Sequence, residues 1–211
     1  MCQHHNITKN KNFKTKNMKI KIILLLIACL TITSNYSQSS NHLVFKGVPI
    51  DGTLKDYVSK MEQEGFTNLG IEDGTAILNG EFAGYKDCNI GVTTLKQKDL
   101  VYKIAVIFPE KETWSTLSEN YIDLKDMLTE KYGNPTEVVE KFDSSYQPKD
   151  DNGKMFNVKN DNCKYFSIWK TDKGEIQLSI QHQGFESCYV TLSYSDKINS
   201  DIIKTKAKRD L

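Results

Sequence analysis

The feature that most constrains this chain is an alternation of apolar and polar residues. Leu100, Tyr102, Ile104, Val106 and Phe108 share one parity. Successive side chains of a strand point to opposite faces, so period two places one parity in a core and the other in water. The alternation recurs at Ala76, Leu78 and Phe82, and again at Cys88, Ile90 and Val92. Half-buried antiparallel strands with one covered face are the expected solution.

Helical spacing supplies the cover. Residues 43–45 read as a short strand, and Thr53 with Asp56 makes a capping-box-like helix start. Leu54, Val58 and Met61 fall on one face of that helix, and Gly65 marks its end. A second helix is signalled by Trp114, Leu117, Tyr121, Leu124 and Leu128, three and four residues apart. Thr116 and Glu119 read as its capping box, and Gly133 with Pro135 as its stop. Strand patterns return at 138–142, 165–169, 175–182 and 188–194, with Thr171-Asp172-Lys173-Gly174 as a turn. Residues 143–162 are polar, contain Pro148 and Gly153, and read as a long loop. A last helix is expected over 198–208.

The fold class expected is therefore α+β. Two similar helix-plus-antiparallel-sheet units, 40–112 and 113–211, place their helices on one face of the sheet. Ile107-Phe108-Pro109-Glu110-Lys111 closes the first and Ser193-Tyr194-Ser195-Asp196-Lys197 the second.

Ahead of these units, residues 18–39 carry the pattern of an export signal. Lys19 and Lys21 precede an apolar run from Ile22 to Leu30, followed by small and polar residues. The run is far shorter than the roughly 20 apolar residues a membrane-spanning helix needs. Residues 1–17 have almost no apolar content and read as an upstream extension, with Met18 as the start. Two processing routes stay open. Cleavage after Ser37 or Ser39 releases a secreted or periplasmic protein. Alternatively, Leu26-Ile27-Ala28-Cys29 resembles the bacterial lipobox, in which Cys29 takes acyl chains and anchors the protein to a membrane.

Loss of residues 1–39 removes six lysines and no acid. Lys+Arg falls from 28 to 22 against 27 Asp+Glu, a net charge of −5. The remaining chain has a single arginine, Arg209. Nucleic-acid recognition relies on positive charge and on arginine's planar fork, so that class is excluded.

The element order resembles the tandem architecture of the β-lactamase inhibitor proteins and of small outer-membrane assembly lipoproteins. The run Phe45-Lys46-Gly47-Val48-Pro49-Ile50-Asp51-Gly52-Thr53-Leu54, with residues 124–135, resembles exported proteins of Bacteroides-type gut bacteria. These likenesses imply a fold and an address. Neither implies an activity or a functional residue.

The sequence contains no GxGxxG, phosphate-loop or GxSxG motif, so no cofactor is expected. His42 and His182 stand far apart, without the spacing of a zinc site. His182, in phase with Ile176, Leu178 and Ile180, reads as a histidine bonded to backbone at a strand end. Asp150-Asp151-Asn152-Gly153 lacks the acidic spacing of a calcium loop and reads as a solvated turn. By parity Cys88 and Cys188 face the core and Cys163 the other side. Either Cys88 and Cys188 form a disulfide or the thiols stay free.

One surface stands out. The parity opposite the core carries Gln177, Ser179 and Gln181, then Tyr189, Thr191 and Ser193. The adjoining strand, read in the same sense, adds Tyr165, Ser167 and Trp169. Tyr165, Trp169, Gln177, Gln181, Tyr189 and Thr191 thus form a candidate recognition face, since aromatic rings and amides give contact area at low entropic cost. The function expected is a non-catalytic exported binding protein for a protein or glycan. The alternatives are a hydrolase-like envelope enzyme with its site near 143–162, and a lipid-anchored assembly factor.

Overall fold

The computed structural model describes residues 41–95, 98–143 and 147–209. Residues 1–40, with the expected export signal and Cys29, lie outside the described residues. Strands β1 (Val44–Phe45) and β2 (Val48–Pro49) form a small hairpin, followed by helix α1 (Leu54–Gln63). Then come β3 (Thr67–Glu72), β4 (Thr75–Phe82), β5 (Tyr85–Leu95) and β6 (Leu100–Ile107). Helix α2 (Trp114–Tyr132) leads to β7 (Glu137–Phe142) and α3 (Asp151–Lys159). The chain closes with β8 (Cys163–Lys170), β9 (Gly174–Gln183), β10 (Ser187–Asp196) and α4 (Lys197–Arg209).

Strands β3 to β10 form one antiparallel sheet in the order β3-β4-β5-β6-β10-β9-β8-β7. The fold is α+β, as the alternation predicts. Each half of the chain supplies a four-stranded meander. The meanders meet where β6 pairs with β10, from Lys103–Ser195 to Ile107–Thr191.

Two rows of buried side chains run across the covered face. One passes from Leu78 through Ile90, Val106 and Leu192 to Leu178, the other from Ala76 through Val92, Ile104, Tyr194 and Ile176 to Trp169. Helix α1 lays Tyr57, Val58 and Met61 on this face, and α2 lays Leu117, Tyr121 and Leu124 on it. Each large side chain so buried contributes about 1.5–3 kcal/mol to the hydrophobic term. On β6 the alternation slips: a bulge between Thr93 and Thr94 turns Val101 inward, and Leu100 and Tyr102 are only half buried.

Caps fix the helix starts. Thr53 Oγ1 accepts the Asp56 N–H at 3.2 Å, as the sequence signals. The cap of α2 is Thr113, which accepts the Thr116 N–H at 3.3 Å; Thr116, the expected cap, lies inside the first turn. Gly133, at φ 81°, stops α2 in a conformation that disfavours a side chain. The expected loop 143–162 contains α3. Asp150, read as part of a solvated turn, is its N-cap and accepts the Gly153 N–H at 2.7 Å. Asp151 then accepts the N–H and hydroxyl of Ser115, which ties α3 to the start of α2. Strand β3 carries no alternation and is exposed along its whole length, so the sequence did not signal it.

A buried carboxylate joins the two ends of the described chain. Asp196 is fully buried and accepts from Leu43 N–H at 2.8 Å and from Asn199 N–H at 2.9 Å. His42 Nδ1 lies 3.1 Å from it. The Asn199 side chain donates to the carbonyls of Ile50 and Val101. A buried charge is tolerable only with such partners.

The register corrects one expectation directly. Ser167 pairs with Leu178 and Trp169 with Ile176, so Tyr165, Ser167 and Trp169 face the helices. Strand β8 carries large apolar residues in both parities, and pairing with β9 decides between them. Trp169 is 1 % exposed, and its Nε1–H donates to the Gly133 carbonyl at 2.9 Å. Tyr165 packs edge-on against Trp114 and Tyr121. Trp169→Ala is therefore expected to lower unfolding free energy by about 3–5 kcal/mol in urea titrations, a core cavity rather than a lost surface contact.

Candidate functional site

Among the described residues, strands β4 to β10 carry no helix on their second face, and cross-strand pairing fixes its layout. The central row reads Ile77, Gly91, Ala105, Ser193, Gln177, Ile168. Above it lie Asn79, Asn89, Ile107, Thr191, Ser179 and Phe166; below it lie Thr75, Thr93, Lys103, Ser195, Glu175 and Lys170. Gly91, Ala105 and Ser193 are consecutive small residues. They make a shallow trough about 10 Å across, two strand spacings, at the junction of the meanders. Ile77 and Ile107, each 37 % exposed, rise beside it.

Gln177, Gln181, Tyr189 and Thr191 lie on this face, as the sequence analysis expects. Gln181 opposes Tyr189 and Ser179 opposes Thr191 in the β9–β10 ladder. Ser179 and Thr191 hydroxyls are 2.9 Å apart, and Gln181 Nε2 donates to Ser179 Oγ at 3.1 Å. These bonds hold the polar side chains in fixed positions. Tyr165 and Trp169 belong to the core. Their places on the open face are taken by Phe166 and Ile168, the opposite parity of the same strand.

The lower row runs into a cleft of about 390 Å³ between α4 and the ends of β8, β9 and β10. Lys170, Lys197 and Lys204 line it together with Glu175, Asp201 and Ser200. Among the described residues, none of these three lysines forms an ion pair. Gly174 forms part of the wall, where a Cβ would collide with the Ser195 carbonyl oxygen. No sequence motif announces this cleft, because its residues come from two separate segments, 170–175 and 195–204.

At the opposite end of the sheet, Cys188 pairs with His182 across β10 and β9. Continuing the β8–β9 ladder beyond Phe166–Ser179 brings Cys163 level with His182. Cys163 therefore faces the helices, not the open side. Cys88, Cys163 and Cys188 are all free thiols. Strand β6 separates Cys88 from Cys188, which puts their Cα atoms roughly 10 Å apart, beyond the ~7 Å a disulfide spans.

The neighbouring thiols and imidazole do not form a nucleophile–base pair. Burial, with Cys188 nearby, pushes the Cys163 thiol up to about 12, and burial pushes Cys88 up to about 11. His182 has acceptors at both nitrogens: the Gly184 carbonyl 2.9 Å from Nδ1 and the Asp161 carboxylate 3.0 Å from Nε2. Both nitrogens donate only in the imidazolium form, and the two contacts raise the His182 pKa. The backbone bond expected of this histidine is present. Among the described residues, no group of three or more His, Cys, Asp or Glu is placed to hold a metal ion, and no helix is long and apolar enough to cross a membrane.

No family model, curated protein or solved structure matches this chain.

Two outcomes follow from this chemistry. The raised His182 pKa adds stability that is complete below its unfolded value of about 6.5 and is lost as pH rises through the folded value. His182→Gln should remove that decline from urea-unfolding profiles taken between about pH 5.5 and 8.5. Burial raises the pKa of Cys88, Cys163 and Cys188, so Ellman's reagent should titrate these three thiols slowly in native protein and promptly after unfolding.

Proposed function

We propose that this chain is an exported, non-catalytic binding protein whose open sheet face and adjoining cleft engage a partner macromolecule. The observation that carries this reading is the asymmetry of the sheet. One face is filled by three helices, and the other presents a trough floored by Gly91, Ala105 and Ser193. Isoleucines at the trough and hydrogen-bonded amides and hydroxyls above it give a surface with apolar contact area and fixed polar groups. That mixture is the make-up of protein-recognition surfaces.

The trough floor has no aromatic ring on which a sugar would stack, so a protein segment is the better fit than a glycan. The leader at residues 18–39 supports an address outside the cytoplasm, and Leu26-Ile27-Ala28-Cys29 supports membrane anchoring as the variant of that address.

The test replaces trough residues and keeps the fold. Ala105→Arg fills the trough, and Tyr189→Ala trims its upper corner. Both lie on the uncovered face and should change stability by no more than about 0.5 kcal/mol. Affinity capture from the envelope and secreted fractions of the producing cells, with a glycan array in parallel, reads the effect. Loss of the captured partner in both variants supports the reading. Undiminished capture in both removes this face as the site.

A further inference from the structure

The two edges of the sheet are built differently. Strand β7 is guarded: Glu137, Glu140 and Lys141 are exposed along it, and Glu140 takes an ion pair from Lys125 at 2.5 Å. Strand β3, Thr67–Glu72, is exposed throughout and carries Leu69 at 61 % and Ile71 at 59 % exposure. It contains no lysine, arginine or proline. Its one charged residue, Glu72, closes the strand and its bulge lies at Asn68–Gly70, so the edge at Ile71 stays unguarded, and a bare edge invites another strand.

The backbone of β3 is also available. The β3–β4 turn is the two-residue loop Asp73-Gly74, with φ of 51° and 76°. Such a turn makes Glu72 and Thr75 the hydrogen-bonded closing pair. Ile71 then directs its N–H and C=O away from β4, toward the free edge. A bulge between Asn68 and Gly70 sets Leu69 as the extra residue of the strand, and Asn68 Oδ1 accepts the Gly70 N–H at 3.0 Å. Neither local bond consumes the polar groups of Ile71.

We infer that β3 is the site at which a second copy of this chain adds its own β3, antiparallel, to extend the sheet across a two-fold axis. The sequence of the strand is self-complementary in that arrangement. Centred on Gly70, it sets Leu69 of each copy opposite Ile71 of the other, so both large apolar side chains leave water together. Charge agrees with the same polarity. Lys46 lies over Phe66 at the start of β3, 5.9 Å from the ring centroid, while Glu72 ends the strand. Antiparallel pairing brings Lys46 of each copy beside Glu72 of the other. The contact is isologous and closes on itself, so it yields a dimer rather than a filament.

Sedimentation velocity of the mature chain up to the high-micromolar range tests this. The expected result is a monomer–dimer equilibrium, with the Ile71 amide gaining hydrogen-exchange protection only at dimer concentrations. Ile71→Lys should leave the chain monomeric with an unchanged melting temperature. Lys46→Glu should weaken the dimer about tenfold, and adding Glu72→Lys should restore it. The charge swap decides the matter without relying on a variant of the strand's apolar residues. A monomer at every concentration overturns the inference. So does a dimer that withstands Ile71→Lys, and a dimer lost in Ala105→Arg would place self-association on the open face instead. Loss of partner capture in trough variants is read separately, so the two proposals fail independently.

Discussion

Everything in this structure depends on one strand pairing. β6 and β10 come from different halves of the chain, and their ladder from Lys103–Ser195 to Ile107–Thr191 makes one sheet of two meanders. Ile104 and Val106 on one strand and Leu192 and Tyr194 on the other stand at the middle of the buried rows. The same residues' neighbours, Ala105 and Ser193, point the other way and floor the trough. Pairing, core and open face are therefore set by one register. A slip of one residue there would send the core side chains to water and the trough residues under the helices.

A second constraint sits at the end of the same strand. Asp196 closes β10 and caps α4 through the Asn199 N–H, while it also holds Leu43 and His42 from the beginning of the described chain. Asn199 reaches the Ile50 and Val101 carbonyls from the other side. A carboxylate in this position is costly unless every partner is present, so the network selects one arrangement of three segments. It also fixes where α4 lies, and with it the cleft lined by Lys170, Lys197 and Lys204. Local polar satisfaction thus shapes the end of the open face.

The histidine and cysteines show why proximity is not chemistry. Cys163, His182 and Cys188 come into one row only through strand pairing, from positions that look unrelated in the sequence. Their environment then works against reactivity. Burial keeps the thiols protonated, and two acceptors hold both imidazole nitrogens. The row stabilises the end of the sheet and leaves the open face as the surface with accessible, varied groups.

The sequence by itself determined the α+β class, the two principal helices, most strands and the side of β9 and β10 that faces water, because periods of 3.6 and two are local properties of a chain. Gln177, Gln181, Tyr189 and Thr191 were legible for that reason. Tyr165 and Trp169 were not, because β8 carries bulky residues in both parities, and only its pairing with β9 decides which are buried. Helix α3 was masked by Gly153 and polar residues, and it forms because Asp150 caps it and Met155 and Val158 find the core. Strand β3, the trough and the lysine cleft have no local signature at all. They are products of register and of long-range packing, which the tertiary structure alone decides.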